Sequence, residues 1–200
     1  MARASNSEAR RSEIVQALQA VMARQGYEKA TIQAIAAEAG LAPGLLHYHF
    51  KSKQEILVSL VSTLAGYAQQ RFAQLAGNAD DPPARLRAYI DARLALGPGS
   101  SPHIVAAWVM VGAEAVRQPE VRDAYQRAVG ADLDLLTGLL ADCLRQQGRP
   151  DGGARHLAAG LLALIEGAYQ LASAAGEVMP AGYAAESAWR FATLGMEAGC

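Results

Sequence analysis

Residues 31–57 read TIQAIAAEAGLAPGLLHYHFKSKQEIL, and two short helices joined by a tight turn are written into that stretch. Ile32, Ile35, Ala36 and Ala39 recur at helical spacing, and Gly40 follows them as a stop. Pro43 then stands where a second helix begins, because a first-turn proline forfeits no helical hydrogen bond. The spacing predicts helices over 31–39 and 43–50 with Gly40-Leu41-Ala42 between them, a helix-turn-helix. On the second helix Leu46 and Phe50 share the core side, Gly44, Leu45 and Tyr48 lie opposite, and His47 and His49 flank them. A solvated face would carry Lys and Glu instead. Gly44 costs its helix about 1 kcal/mol relative to alanine, which points to close approach by something large. A DNA major groove is such a surface: apolar groups meet thymine methyls there and polar neighbours hold phosphates. A short helix packed outward on a neighbouring helix fits the same spacing.

Glycine and proline punctuate the rest of the chain. Gly26, Gly40, Gly77, Gly97, Gly148, Gly176 and Gly199 each follow a periodic segment. Pro82, Pro102, Pro119 and Pro180 each open one, the first two behind candidate N-caps Asp81 and Ser101, and Asp151 is a candidate cap after Pro150. About nine helices are expected, roughly over 8–25, 31–39, 43–50, 52–76, 82–96, 102–118, 119–147, 151–175 and 180–198. The first buries a stripe of Ile14, Val15, Leu18, Val21 and Met22, and the fourth opens with Ser52 and Glu55 at capping-box spacing. No segment alternates with the two-residue period of a strand. The expected fold is all-α: a three-helix head over 1–52, joined by the long fourth helix to a helical bundle over 53–200.

Composition agrees with a globular protein, at 52% hydrophobic residues and a net charge of −1 over 200 residues. Ala2–Glu13 is polar and unlike a signal peptide, and the longest apolar run, Leu157–Ile165, is stopped by Glu166 well short of the ~18 residues a membrane span needs. A cytoplasmic location with no membrane partner is the expectation. Cys143 and Cys200 are too few for a disulfide framework. Residues 1–60 carry seven Lys or Arg against five Glu, a net +2 that leaves −3 for the remainder. A basic head on an acidic body suits a nucleic-acid binder, although a solvated surface has the same look.

The density of matches in 31–57 resembles the TetR-family signature: Thr31, Ile35, Ala36, Ala39, Gly40, Gly44, Leu46, His49, Phe50, Lys53 and Ile56 all fall at its spacing. Two positions depart from it, Ala42 where the family has a capping serine and His47 where it has tyrosine. The resemblance implies a dimeric repressor on a double-stranded DNA operator. It implies that Thr31 and Lys53 hold backbone phosphates, that Gln33, Pro43, Gly44 and Leu45 lie nearest the bases, and that His47, Tyr48 and His49 clamp phosphate edges. Arg10 and Arg11 are placed either to reach DNA from the N-terminal arm or to serve as surface arginines.

Catalytic and metal chemistry finds no support in the sequence. His47 and His49 diverge by ~160° around a helix and cannot share an ion, and His103 and His156 have no partner at ligand spacing. Neither a phosphate loop nor a nucleophile elbow is present, so no cofactor, no metal and no enzymatic activity are expected. Beyond Lys53, the segment WVMVGAEAVRQPEVRDAYQRA is similar to the choline-responsive, BetI-type branch of the family, through Trp108, Glu114, Pro119, Glu120 and Tyr125.

Trp108, Met110 and Glu114 fit either core packing or the wall of a pocket for a mostly apolar small-molecule effector with one polar or cationic group. Phe72, Tyr125, Glu166 and Tyr169 are the further candidates for that wall. Leu157, Leu161, Leu164, Ile165 and Ala168 form one wide apolar face, beside a line of small residues at Ala159, Ala163 and Gly167. With Trp189, Ala192 and Met196 they suit either a two-fold homodimer seam or burial inside one subunit. The rival to a regulator is a helical small-molecule carrier or enzyme that has lost DNA binding.

Overall fold

A computed structural model describes residues 2–95 and 101–198, with side chains from residue 7 onward. The helices are α1 (Ala2–Lys29), α2 (Ile32–Glu38), α3 (Pro43–His49), α4 (Lys53–Ala76), α5 (Pro82–Leu94), α6 (Pro102–Arg117), α7 (Pro119–Gln146), α8 (Ala154–Ala175) and α9 (Tyr183–Ala198), with a 3-10 turn at Gly176–Val178. The described residues contain no strand. This is the expected all-α order, element by element.

Local chemistry accounts for the helix ends. Ser52 accepts from the Glu55 amide at 3.1 Å while the Glu55 carboxylate accepts from the Lys51 amide at 2.8 Å, so α4 opens on a reciprocal cap. Asp81 caps α5 by accepting from the Ala84 amide, with proline in the first turn. Gly26, at φ 78°, breaks α1 in its last turn, as its place in the sequence suggests. Two starts differ from expectation. The Asp151 carboxylate pairs with Arg145 at 2.5 Å instead of capping, and α8 begins at Ala154 behind Gly153. After Pro180 the chain turns once more at Gly182, so α9 begins only at Tyr183. Gly176 continues from α8 into the 3-10 turn, and Gly97, Gly199 and Cys200 lie outside the described residues.

The chain divides into two compact units, one of residues 1–64 and 106–126, the other of residues 65–105 and 127–200. The unit that holds the helix-turn-helix is therefore larger than residues 1–52, because the junction of α6 and α7 belongs to it. In the first unit α1, α2 and α3 pack on one another, and Ile14, Leu18, Ile35, Leu46 and Phe50 are fully buried. In the second, α5, α8 and α9 pack together around Tyr89, Ile90, Leu161, Ile165 and Ala192. Ala154–Val178 is long and apolar enough by composition to cross a bilayer, with a mean hydropathy of 1.4. Glu166 interrupts it, and Leu157, Leu161 and Ile165 are buried within the unit, the pattern of a core helix.

Helices α8 and α9 approach closely through glycine. A Cβ at Gly195 would run into the side chain of Leu157, itself buried. Gly195→Ala should therefore destabilise the protein by roughly 1 kcal/mol: overpacking of 1–3 kcal/mol outweighs a helix-propensity gain of about 1 kcal/mol. Urea unfolding midpoints measure this, and a stabilised variant would contradict the close packing.

Candidate nucleic-acid interface and cavity

The turn between α2 and α3 is set by Gly40 at φ 65°, whose amide bonds to Ala37 O, while the Leu41 amide reaches back to Ala36 O at 2.9 Å. Thr31 caps α2 by accepting from the Ala34 amide at 3.1 Å, which leaves its hydroxyl hydrogen available outward. Ala42 supplies no such bond to α3, as its side chain dictates. Leu46 and Phe50 are buried, and the opposite face is open: Leu45 is 45% exposed and Tyr48 81%. Thr31, Gln33, Pro43, Gly44 and His47 are exposed too, and His49 is half-buried with its ring edge-on to Tyr48. A Cβ at Gly44 would meet nothing within 4 Å. Nothing within the fold therefore requires a glycine there.

Three cations that the sequence places near DNA have partners within the head. The Arg11 guanidinium lies 3.9 Å from the centre of the Phe50 ring and donates to the carbonyl of His49, closing the end of α3. Arg10 pairs with Glu13 at 2.7 Å. Lys53 donates to Tyr27 O at 2.8 Å and Glu28 O at 3.3 Å and lies 4.2 Å over the Tyr27 ring. Burial draws the Lys53 ammonium below its ordinary pKa, with Glu114 and Glu28 opposing.

Around Lys53 lies an open cleft walled by Tyr27, Glu28, Glu114, Arg117 and Gln118. Arg117 pairs with Glu28 at 2.5 Å, and Gln118 donates to Glu114 at 2.7 Å. Gln54 donates to Gln118 at 3.3 Å and to Glu120 at 2.9 Å. Through these bonds the α6–α7 junction grips both the end of α1 and the start of α4. Sequence reasoning missed Gln54, Gln118 and Arg117, since nothing in their spacing shows partners more than 60 residues away.

The seven residues expected to line one pocket fall in two groups. Trp108, Met110, Glu114 and Tyr125 belong to the first unit, where the Trp108 ring stacks 4.9 Å from that of Tyr125. Phe72, Glu166 and Tyr169 belong to the second, where Phe72 meets Tyr89 edge-on. The second unit contains a cavity of about 280 Å³, and Tyr169 is the one member of the seven on its wall. The other polar groups there are Arg71, Arg93, Ser101, Ser173 and Tyr183. Arg93 forms an ion pair with Asp132, both nearly buried. Burial raises the Asp132 carboxyl against the pull of Arg93, and burial also pushes the phenol of Tyr169 up to about 12. Arg93 had a sequence signal: it continues the apolar stripe of Leu86, Tyr89 and Ile90 at helical spacing.

The wide face of α8 turns inward. Leu157, Leu161, Ile165, Ala168, Ala192 and Met196 are buried inside the single chain, and Leu164 and Trp189 are half-buried. Outward instead are Ala159, Ala163 and Gly167 with Leu171 on α8, and Phe191 and Leu194 on α9, the last 61% exposed.

Comparison with known proteins agrees with this architecture. Residues 14–60 match the profile of bacterial regulatory proteins of the tetR family, and residues 82–193 that of the BetI-type transcriptional repressor C-terminal domain. The HTH-type transcriptional regulator BetI of Rhizobium meliloti is 33% identical over 164 residues, spanning 80% of this chain and 76% of its own. A TetR transcription regulator from Haloarcula marismortui superposes with a TM-score of 0.80 at 23% identity, over 96% of this chain and 98% of the other. A transcriptional regulator from Saccharomonospora viridis, solved in complex with choline, does so with a TM-score of 0.75 at 27% identity over 96% of both. The chain belongs to the TetR family, in its BetI-type branch, and is a helix-turn-helix transcription regulator.

Proposed function

We propose that two copies of this chain hold a palindromic DNA operator in the cytoplasm and repress transcription until a small molecule in the second unit's cavity releases them. The observation that carries the reading is the outward face of α3, where Leu45 and Tyr48 stay exposed while Leu46 and Phe50 anchor the helix. In this reading Gln33, Pro43, Gly44 and Leu45 face base edges. The Thr31 hydroxyl, His47, Tyr48 and His49 hold phosphates. Lys53 acts one step back: its ammonium fixes the end of α1 to the start of α4.

Release follows from the continuity of the helices. Helices α4, α6 and α7 each contribute residues to both units, and the α6–α7 junction is hydrogen-bonded to the head through Gln54 and Arg117. An effector that prefers a shifted α6–α7 junction moves the reading helices off register. A full swing in occupancy needs a preference of about 5 kcal/mol. A second copy docks on the outward stripe of Ala159, Ala163, Gly167, Leu171 and Leu194, because the wide face of α8 is already covered within one chain.

Gel-shift titration of wild-type protein on its own upstream DNA tests the reading, and absence of binding contradicts it. Gly44→Ala should leave stability unchanged or raised by up to about 1 kcal/mol. The same substitution should weaken operator binding roughly tenfold, or about 1.4 kcal/mol, as the methyl meets DNA. Normal operator affinity in Gly44→Ala would contradict the close approach. For Lys53→Met the slope of log affinity against log salt should stay that of wild type, since no phosphate contact is lost. A slope shallower by about 0.9 would return Lys53 to the backbone. Leu194→Glu should give a folded monomer in sedimentation, whereas Leu161→Glu should unfold the protein by burying a charge. A dimeric Leu194→Glu variant would move the seam elsewhere.

A further inference from the structure

The cavity of the second unit has a wall of one sign. Arg71 and Arg93 both stand on it, and among the described residues no carboxylate does. Arg93 is balanced by Asp132, which is not part of that wall. Arg71 makes no ion pair among the described residues, and its Nη2 donates to the Ala95 carbonyl oxygen at 3.1 Å. Two residues of the same wall each carry a buried donor, Tyr183 Oη and Arg93 Nε, that has no hydrogen-bond partner among the described residues. Helix α6 also opens there, at Ser101 and Pro102, adding the positive end of its dipole. Ser173 and Tyr169 add hydroxyl-bearing side chains, and the rest of the wall is mostly apolar, through groups such as Val105, Ala172 and Met179. Unmet donors beside an unbalanced cation are relieved by a ligand that brings acceptors and negative charge.

We infer that the effector of this chain is a small organic carboxylate, an assignment that rests on the ligand-responsive reading above. Its head accepts from Arg71 and Tyr183, and its apolar body fills the remaining wall. A quaternary ammonium would add a second positive charge beside Arg71 and leave both donors unmet. At about 280 Å³ the space is near the lower end for small-molecule sites, which limits the acid to a compact one.

The test titrates the full-length protein with benzoate, phenylacetate and octanoate, with their primary amides, and with choline. Calorimetry and thermal midpoints follow binding, and retention of the chain's own upstream DNA is measured on the same samples. At least one acid should bind about tenfold or more tightly than its amide, the size expected of one charge-assisted hydrogen bond. Arg71→Met should abolish that preference, Arg71→Lys should keep it in part, and Tyr183→Phe should weaken the acid. Choline or the amides binding as tightly as the acids would overturn the assignment. So would failure of every acid to bind, or an unchanged acid-to-amide ratio in both Arg71→Met and Tyr183→Phe. If the acids fail while untreated protein still holds DNA, the carboxylate assignment falls alone. If untreated protein does not hold DNA, the regulator reading falls with it.

Discussion

A helix of seven residues closes too few hydrogen bonds to persist alone, so α3 exists because the rest of the head holds it. Leu46 and Phe50 are its anchors, both buried to within 1%. Arg11 completes the hold by covering the Phe50 ring and bonding the last carbonyl of the helix at His49. With one side fixed so firmly, the opposite side is released from any duty to the fold. That freedom allows Gly44, Leu45 and Tyr48 to stand in solvent, an arrangement that stability alone does not favour. The cost of an uncapped start at Ala42, about 1 kcal/mol, is met by the same anchors.

The two units treat charge differently. In the first, Lys53, Glu28, Arg117, Glu114 and Gln118 form an open network in contact with water, where each bond contributes little and exchange is easy. In the second, Arg93 and Asp132 are buried together, and removal of either partner would strand a charge at about 3–5 kcal/mol. That pair links α5 to α7 beside the cavity, with Arg93 on the cavity wall.

Much of this was legible in the sequence because the signals are local. The Ser52–Glu55 cap, the Asp81–Pro82 start, the Gly26 and Gly40 stops and the inward stripe of α1 each depend on residues within one or two turns. The outward residues of α3 were legible for the same reason. What escaped depends on distant partners. The bonds of the Lys53 ammonium to the Tyr27 and Glu28 carbonyls, for example, join residues more than 20 apart and have no local signal. Likewise α8 has apolar residues on more than one side. Periodicity cannot tell which side α5 and α9 will take, so the wide face went to the core and the small-residue line to the surface.

The central claim is that the exposed side of α3 lies against DNA. A photo-crosslinking amino acid in place of Leu45 tests it directly, with the same group at Val178, 80% exposed in the second unit, as the comparison. The account predicts ultraviolet capture of labelled upstream DNA from position 45 and none from position 178. Equal capture from both, or capture from 178 alone, would contradict it.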